Sequence, residues 1–188
     1  MSQPAELSAQ LRVLLVPGLH GSGAGHWQTR WQALYPEFVW VGQRRADLPE
    51  LEVWAERVHR VLTASPQPTI IVAHSFGCLA SLHCAMRGVA NLRGLLLVAP
   101  ADPLKFDLEQ QMLAVRLRIP ATVIASTTDP WMASARAALW ATRWQTQFVN
   151  AGPVGHINAD SALGDWPLGL AHLQRLHDAC LNVSEVAA

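Results

Sequence analysis

Lysine is almost missing from this chain: Lys105 is the only one in 188 residues. The glycine-rich stretch from Gly18, "GLHGSG", therefore has no Walker lysine, and it does not spell G-x-G-x-x-G, so a nucleotide site gets little support. An excess of either charge is missing too. Lys+Arg and Asp+Glu both total 14, for a formal net charge of zero. Such a chain exerts no long-range pull on nucleic acid or on an anionic membrane, and neither partner is expected. Arg44 and Arg45 form too short a run to change that and read as a solvated turn.

Cysteine is scarce and odd in number. Cys78, Cys84 and Cys180 lack metal-type spacing, and the first two fall six apart on one predicted helix, where a bridge is not favoured. They read as small buried apolar residues in a reducing compartment. Long apolar runs are absent as well. "GLLLVAPA" falls far short of the roughly 20 residues that span a bilayer. The opening "MSQPAELSAQ" has neither the basic start nor the apolar stretch of a signal peptide. The expectation is a soluble cytoplasmic protein. No internal repeat, low-complexity tract or linker-like segment divides it.

What the chain does have is apolar surface. Apolar residues make up 51% and charged residues 15%, enough for one well-packed domain over residues 1–188. Its core is expected over about residues 11–183, with 1–10 flexible. Six short β-rich runs recur: "LRVLLVP" from Leu11, "FVWVG" from Phe38, "TIIVAH" from Thr69, "GLLLVAP" from Gly94, "ATVIAS" from Ala121 and "TQFVN" from Thr146. Most are apolar nearly throughout, as in parallel strands covered on both faces. Between them lies a clear amphipathic helix over Leu51 to Thr63, and Leu170, Leu173, Leu176 and Cys180 mark another near the end. Strands alternating with helices imply an α/β domain, a mostly parallel six-stranded sheet with helices on both faces.

In such sheets ligands bind at the carboxyl ends of the strands. The first run ends in "PGLHGSGAGHW", the third in "HSFG", the fourth in "APADP", the fifth in "STTDPW" and the sixth in "NAGPVGHINAD". Among these strand ends the third offers a serine, the fourth and fifth an aspartate each, and the last a histidine. "AHSFG" resembles the G-x-S-x-G elbow, in which a tight strand-to-helix turn lifts a serine and crowds the residues two before and two after it. Gly77 fits that demand, and Ala73 stands in for the first glycine. Against a nucleophilic Ser75 stands a plain helix cap, for which serine is also favoured.

A serine attacks well only beside a base. His156 follows the last strand in a loop shaped by Gly152, Pro153 and Gly155. His74 is chain-adjacent to Ser75 and points away from its hydroxyl. The acid is Asp129 or Asp102, each at a strand end and each followed by proline, so a turn is the bland reading of both. Asp129 is favoured because its strand is nearer the histidine-bearing one. The oxyanion donors are expected to be the backbone N–H groups of Phe76 and Leu19, with His20 as fallback. His20, Trp27, Trp131 and Trp166 lie in segments that would wall a substrate pocket.

These residues resemble a known family, the small α/β serine hydrolases that include YdeN-type proteins and retinoblastoma-binding protein nine. The resemblance runs from about Arg12 to near the C-terminus. It rests on "VPG" with "HW" (His26, Trp27), "AHSFG", "LVAPAD", "STTDPW" and, most specifically, "GHINADSALGDWPLG". It implies a single-domain α/β-hydrolase fold without a separate lid domain, a triad of Ser75, Asp129 and His156, and hydrolysis of small esters or related acyl bonds. No metal or organic cofactor is expected. The substrate would be a small acyl compound, carboxylic esters first, with thioesterase, amidase or acyltransferase chemistry open on the same triad. A catalytically idle fold serving as a binding module is the reading from another class, and Ala73 slightly encourages it.

Overall fold

The six apolar runs build one sheet. In the computed structural model, which describes residues 11–186, the strands are β1 (Arg12–Val16), β2 (Val39–Trp40), β3 (Thr69–His74), β4 (Leu92–Val98), β5 (Ala121–Ala125) and β6 (Gln147–Asn150). Residues 1–10, expected to be flexible, lie outside the described residues. The strands run in the order β2-β1-β3-β4-β5-β6, with every neighbouring pair parallel. The helices are α1 (Trp27–Leu34), α2 (Leu51–Thr63), α3 (Phe76–Ala85), α4 (Glu109–Leu113), α5 (Ser134–Trp144) and α6 (Pro167–Val186). None of them, among the described residues, is long and apolar enough to cross a membrane. No segment among these residues forms a separate lid domain.

Side-chain parity explains the unbroken apolar runs. In β3, Ile71 and Ala73 join a core with Val58 of α2, Leu79 of α3 and Trp140 of α5. Ile70 and Val72 face the other way, toward Trp27 and Trp31 of α1 and Leu173 and Leu176 of α6. The same split separates Leu95 and Leu97 from Leu96 and Val98 in β4. Successive strand residues point to opposite faces, and here each face has its own core. α2 buries Leu51, Trp54, Ala55, Val58 and Leu62, the stripe its spacing predicts. Cys78, Cys84 and Cys180 are all buried. The run from Phe38 pairs less than its composition suggests. Only Val39 and Trp40 join β1, as suits an edge strand kept short.

The strand order creates the crevice. From β1 the chain goes to β2 on one side, then crosses to β3 on the other side of β1. The loops after β1 and β3 leave in opposite directions, and a gap opens between the strand ends. Carbonyls there need new partners. The buried Gln28 supplies them: its Nε2 donates to Val16 O and Val72 O, both at 3.2 Å, while its Oε1 accepts the Ser22 hydroxyl at 2.8 Å. Gln28→Leu strands two buried carbonyls. A loss of about 2–3 kcal/mol is expected in urea denaturation; unchanged stability would show that the carbonyls find other partners.

Candidate active site

Ser75 sits where β3 becomes α3, with φ 53° and ψ −123°. That backbone is strained for a residue with a Cβ, typically by about 1–3 kcal/mol, and persists only where neighbours over-determine it. They do. Ser75 N donates to Val98 O of β4 at 3.1 Å, and Ser75 O accepts from Cys78 N at 3.0 Å and Ala101 N at 3.1 Å. Gly77 has no room for a side chain: a Cβ would stand 2.7 Å from Val16 O and press on Pro17 O. Gly18 is equally tight, since its Cβ would lie 2.8 Å from that of Ser75. Ala73 is tolerated because its methyl points into the core. Ser75 occupies the helix cap position, yet its hydroxyl makes no cap bond. It lies 3.1 Å from His156 Nε2 instead.

His156 rides on a loop with three residues in the left-handed region, Gly152 (φ 78°), Gly155 (φ 60°) and Ile157 (φ 48°). Side chains from elsewhere hold its backbone. Ser126 Oγ accepts from Val154 N at 3.0 Å, and Thr128 Oγ1 accepts from Gly155 N at 3.0 Å. Trp27 Nε1 donates to Ile157 O at 2.8 Å, Ser161 Oγ to Val154 O at 2.6 Å, and His74 Nε2 to His156 O at 3.0 Å. Polar positions Ser126 and Thr128 thus bind the histidine loop to the acid loop, and sequence reasoning did not single them out.

On its other nitrogen, Nδ1, His156 meets Asp129, at 2.9 Å from Oδ2 and 3.0 Å from Oδ1. The Asp129 side chain is 2% exposed and also accepts Trp131 N at 2.8 Å. The other aspartate is engaged differently. Asp102 Oδ2 accepts from Arg136 Nε at 2.7 Å and Oδ1 from Leu104 N at 3.1 Å. The sheet order accounts for the choice, because β5 lies next to β6 and β4 is one strand further away.

The pocket before Ser75 encloses about 510 Å³, with Leu19, His20, Phe106, Trp131 and Ala159 in its wall. The N–H groups of Leu19 and Phe76 donate to no protein acceptor among the described residues, whereas His20 N is taken up by Ala46 O at 2.8 Å. The fallback donor is thereby removed. Of the four proposed wall residues, His20 and Trp131 line the cavity. Trp27 and Trp166 do not: they are 1% and 4% exposed and pack against each other at a tilt of 55°, ring centres 5.0 Å apart. Their place in loop-flanking sequence suggested the pocket, but large apolar rings between α1 and α6 find more burial in the core.

Comparison with known proteins gives the family and the fold. The profile of the serine hydrolase family matches residues 13–175. The chain belongs to that family. It is similar to a YdeN-like hydrolase from Pectobacterium atrosepticum, 38% identical over 94% of both chains with a TM-score of 0.87. The fold also matches the ydeN gene product of B. subtilis, at 19% identity over 89% of this chain and 99% of that one, TM-score 0.73. Mouse alpha/beta hydrolase domain-containing protein 10 shares it at 15% identity over 88% and 89%, TM-score 0.66. A comparison with curated protein sequences finds no match.

Two more histidines line the pocket of this serine hydrolase beside His156. His26, His74 and His156 form a row with ring centres 4.7 and 4.9 Å apart. Burial holds the His74 imidazole well below its ordinary range, helped by the nearness of His26 and His156. Burial, then His156, pushes His26 down to about 4. His26 Nδ1 accepts from Gln28 N at 3.1 Å and so caps α1, which fixes the tautomer with the proton on Nε2. Both rings fold as neutral groups, so the unfolded chain binds protons that the folded one refuses. Their contribution to stability is complete above about pH 6.5 and is lost as the pH falls below it, for His26 down to about 4, by up to about 1.4 kcal/mol per pH unit for each. His26→Asn keeps a capping acceptor and removes the titration. Its urea-unfolding stability should fall less between pH 7 and pH 5 than that of the wild type; an identical fall would assign the pH dependence to other groups.

Proposed function

We propose that the protein is a carboxylesterase that cleaves small acyl esters through a Ser75–His156–Asp129 triad. The observation that carries this reading is the continuous relay from Ser75 Oγ to His156 Nε2 at 3.1 Å and from His156 Nδ1 to Asp129 at 2.9 Å. Asp129 accepts the Nδ1–H, which leaves the Nε2 lone pair facing the serine. His156 takes the Ser75 proton as Oγ attacks the ester carbonyl. The oxyanion that forms is met by the N–H groups of Leu19 and Phe76, and each such donor is typically worth on the order of a hundredfold in rate. His156 then passes its proton to the departing alkoxide, giving alcohol and a Ser75 ester. Water, deprotonated by the same histidine, attacks that ester, and the proton returns to Ser75 as the acid leaves.

The wall of Leu19, Phe106, Trp131 and Ala159, with no lid domain to extend it, favours short acyl groups. Acetate and butyrate esters should be turned over with higher kcat/KM than long-chain esters. Asp129→Asn should lower kcat by a factor on the order of a thousand or more, because the imidazole loses its orienting acceptor. Asp102→Asn should cost far less activity and should show mainly as lost stability through Arg136. A larger kcat loss in Asp102→Asn, or faster turnover of long chains, would contradict this assignment.

A further inference from the structure

Among the described residues, the pocket wall carries one cation that no carboxylate claims. Asp102 is bonded to Arg136, whose Nη2 also donates to Glu109 Oε1 at 2.6 Å, and Asp129 is bonded to His156. Lys105 has no carboxylate within 4.0 Å among the described residues. Its ammonium lies over the Trp131 ring instead, 5.1 Å from the centre. An ammonium on an aromatic face keeps N–H donors for an anion, and attraction to the ring is weaker than a charge-assisted hydrogen bond.

Both partners are held in place by parts of the site. Lys105 sits on the short turn Pro103–Phe106, which Asp102 caps through Leu104 N. Trp131 N donates to Asp129 Oδ1 at 2.8 Å, so the backbone that carries the ring is tied to the carboxylate that faces His156. The ring centres of Trp131 and His156 are 6.4 Å apart. Added to the 5.1 Å above, this puts the ammonium no more than 11.5 Å from the His156 ring centre, within reach of a short substrate's second functional group. The rest of the wall is largely apolar, with His26 and His74 held uncharged by burial and the carboxylate that lines it, Asp102, paired with Arg136.

We propose that Lys105, braced on Trp131, selects esters that carry a carboxylate or another anionic group a few bonds from the scissile carbonyl. The inference deepens the ester-hydrolase reading above and rests on it. Trp131 is 57% exposed and Lys105 is exposed too, so solvent screens the pair and the discrimination is modest. A three- to tenfold effect is expected, about that of a partly exposed charge pair.

The test compares esters matched in shape and differing in charge. Monoethyl succinate against ethyl 4-methylpentanoate puts the charge on the acyl side; butyryloxyacetate against isobutyl butyrate puts it on the alcohol side. The reading is the ratio of kcat/KM, charged over neutral, within each pair. Lys105→Met should lower that ratio about three- to tenfold in at least one pair, and Lys105→Arg should keep it. Raising NaCl to about 0.5 M should lower the wild-type ratio and leave that of the Met variant. A ratio unchanged by Lys105→Met in both pairs overturns the inference and leaves ester hydrolysis standing. A wild type that hydrolyses no member of either pair overturns both.

Discussion

A hydrogen bond of 3.1 Å joins Ser75 to His156 across 81 residues of chain, and most of the polar architecture bears on that contact. One end is a strained elbow, bolted by backbone bonds to β4 and to the loop after it. The other is a loop with no ladder of its own. Side chains of Trp27, His74, Ser126, Thr128 and Ser161 each hold one of its backbone groups. A loop fixed this way loses little freedom when a substrate binds, which is the condition for a base to stand ready at hydrogen-bond distance.

The sheet makes that arrangement possible. The order reverses at β1, so the loops after β1 and β3 part and leave room between them. Gly18 and Gly77 let the backbones of these two segments approach where no side chain fits. Gln28 pairs the carbonyls that the parting strands leave open. Packing on both faces then holds the strand ends in register, and the aspartate and histidine loops arrive on adjacent strands.

Much of this was legible in the chain itself. Unbroken apolar runs marked two-sided strands, and strand ends named the loops to inspect. Serine, aspartate and histidine in that chain order singled out three residues that the fold brings within hydrogen-bond distance. The choice of Asp129 over Asp102 needed only the expectation that successive strands lie side by side. Other features left no trace in periodicity. Ser126, Thr128 and Gln28 act by bonding distant backbone, and their positions look like ordinary loop or helix polarity. Trp27 and Trp166 were drawn toward the pocket by their neighbours in sequence, because sequence does not say which way a ring at a loop edge turns. The Phe38 run had strand composition but an edge position, and an edge offers one neighbour.

The neutral histidines beside His156 link stability to the same site. Their burial ties the fold's stability at mild acidity to the row of rings that ends in His156. The central claim remains that Ser75 is an activated nucleophile. Reaction with a fluorophosphonate, followed by intact mass and peptide mapping, tests it most directly. One adduct per chain is expected, on Ser75, absent in Ser75→Ala and formed much more slowly in His156→Ala. A folded wild type that stays unlabelled, or an adduct on another residue, would contradict it.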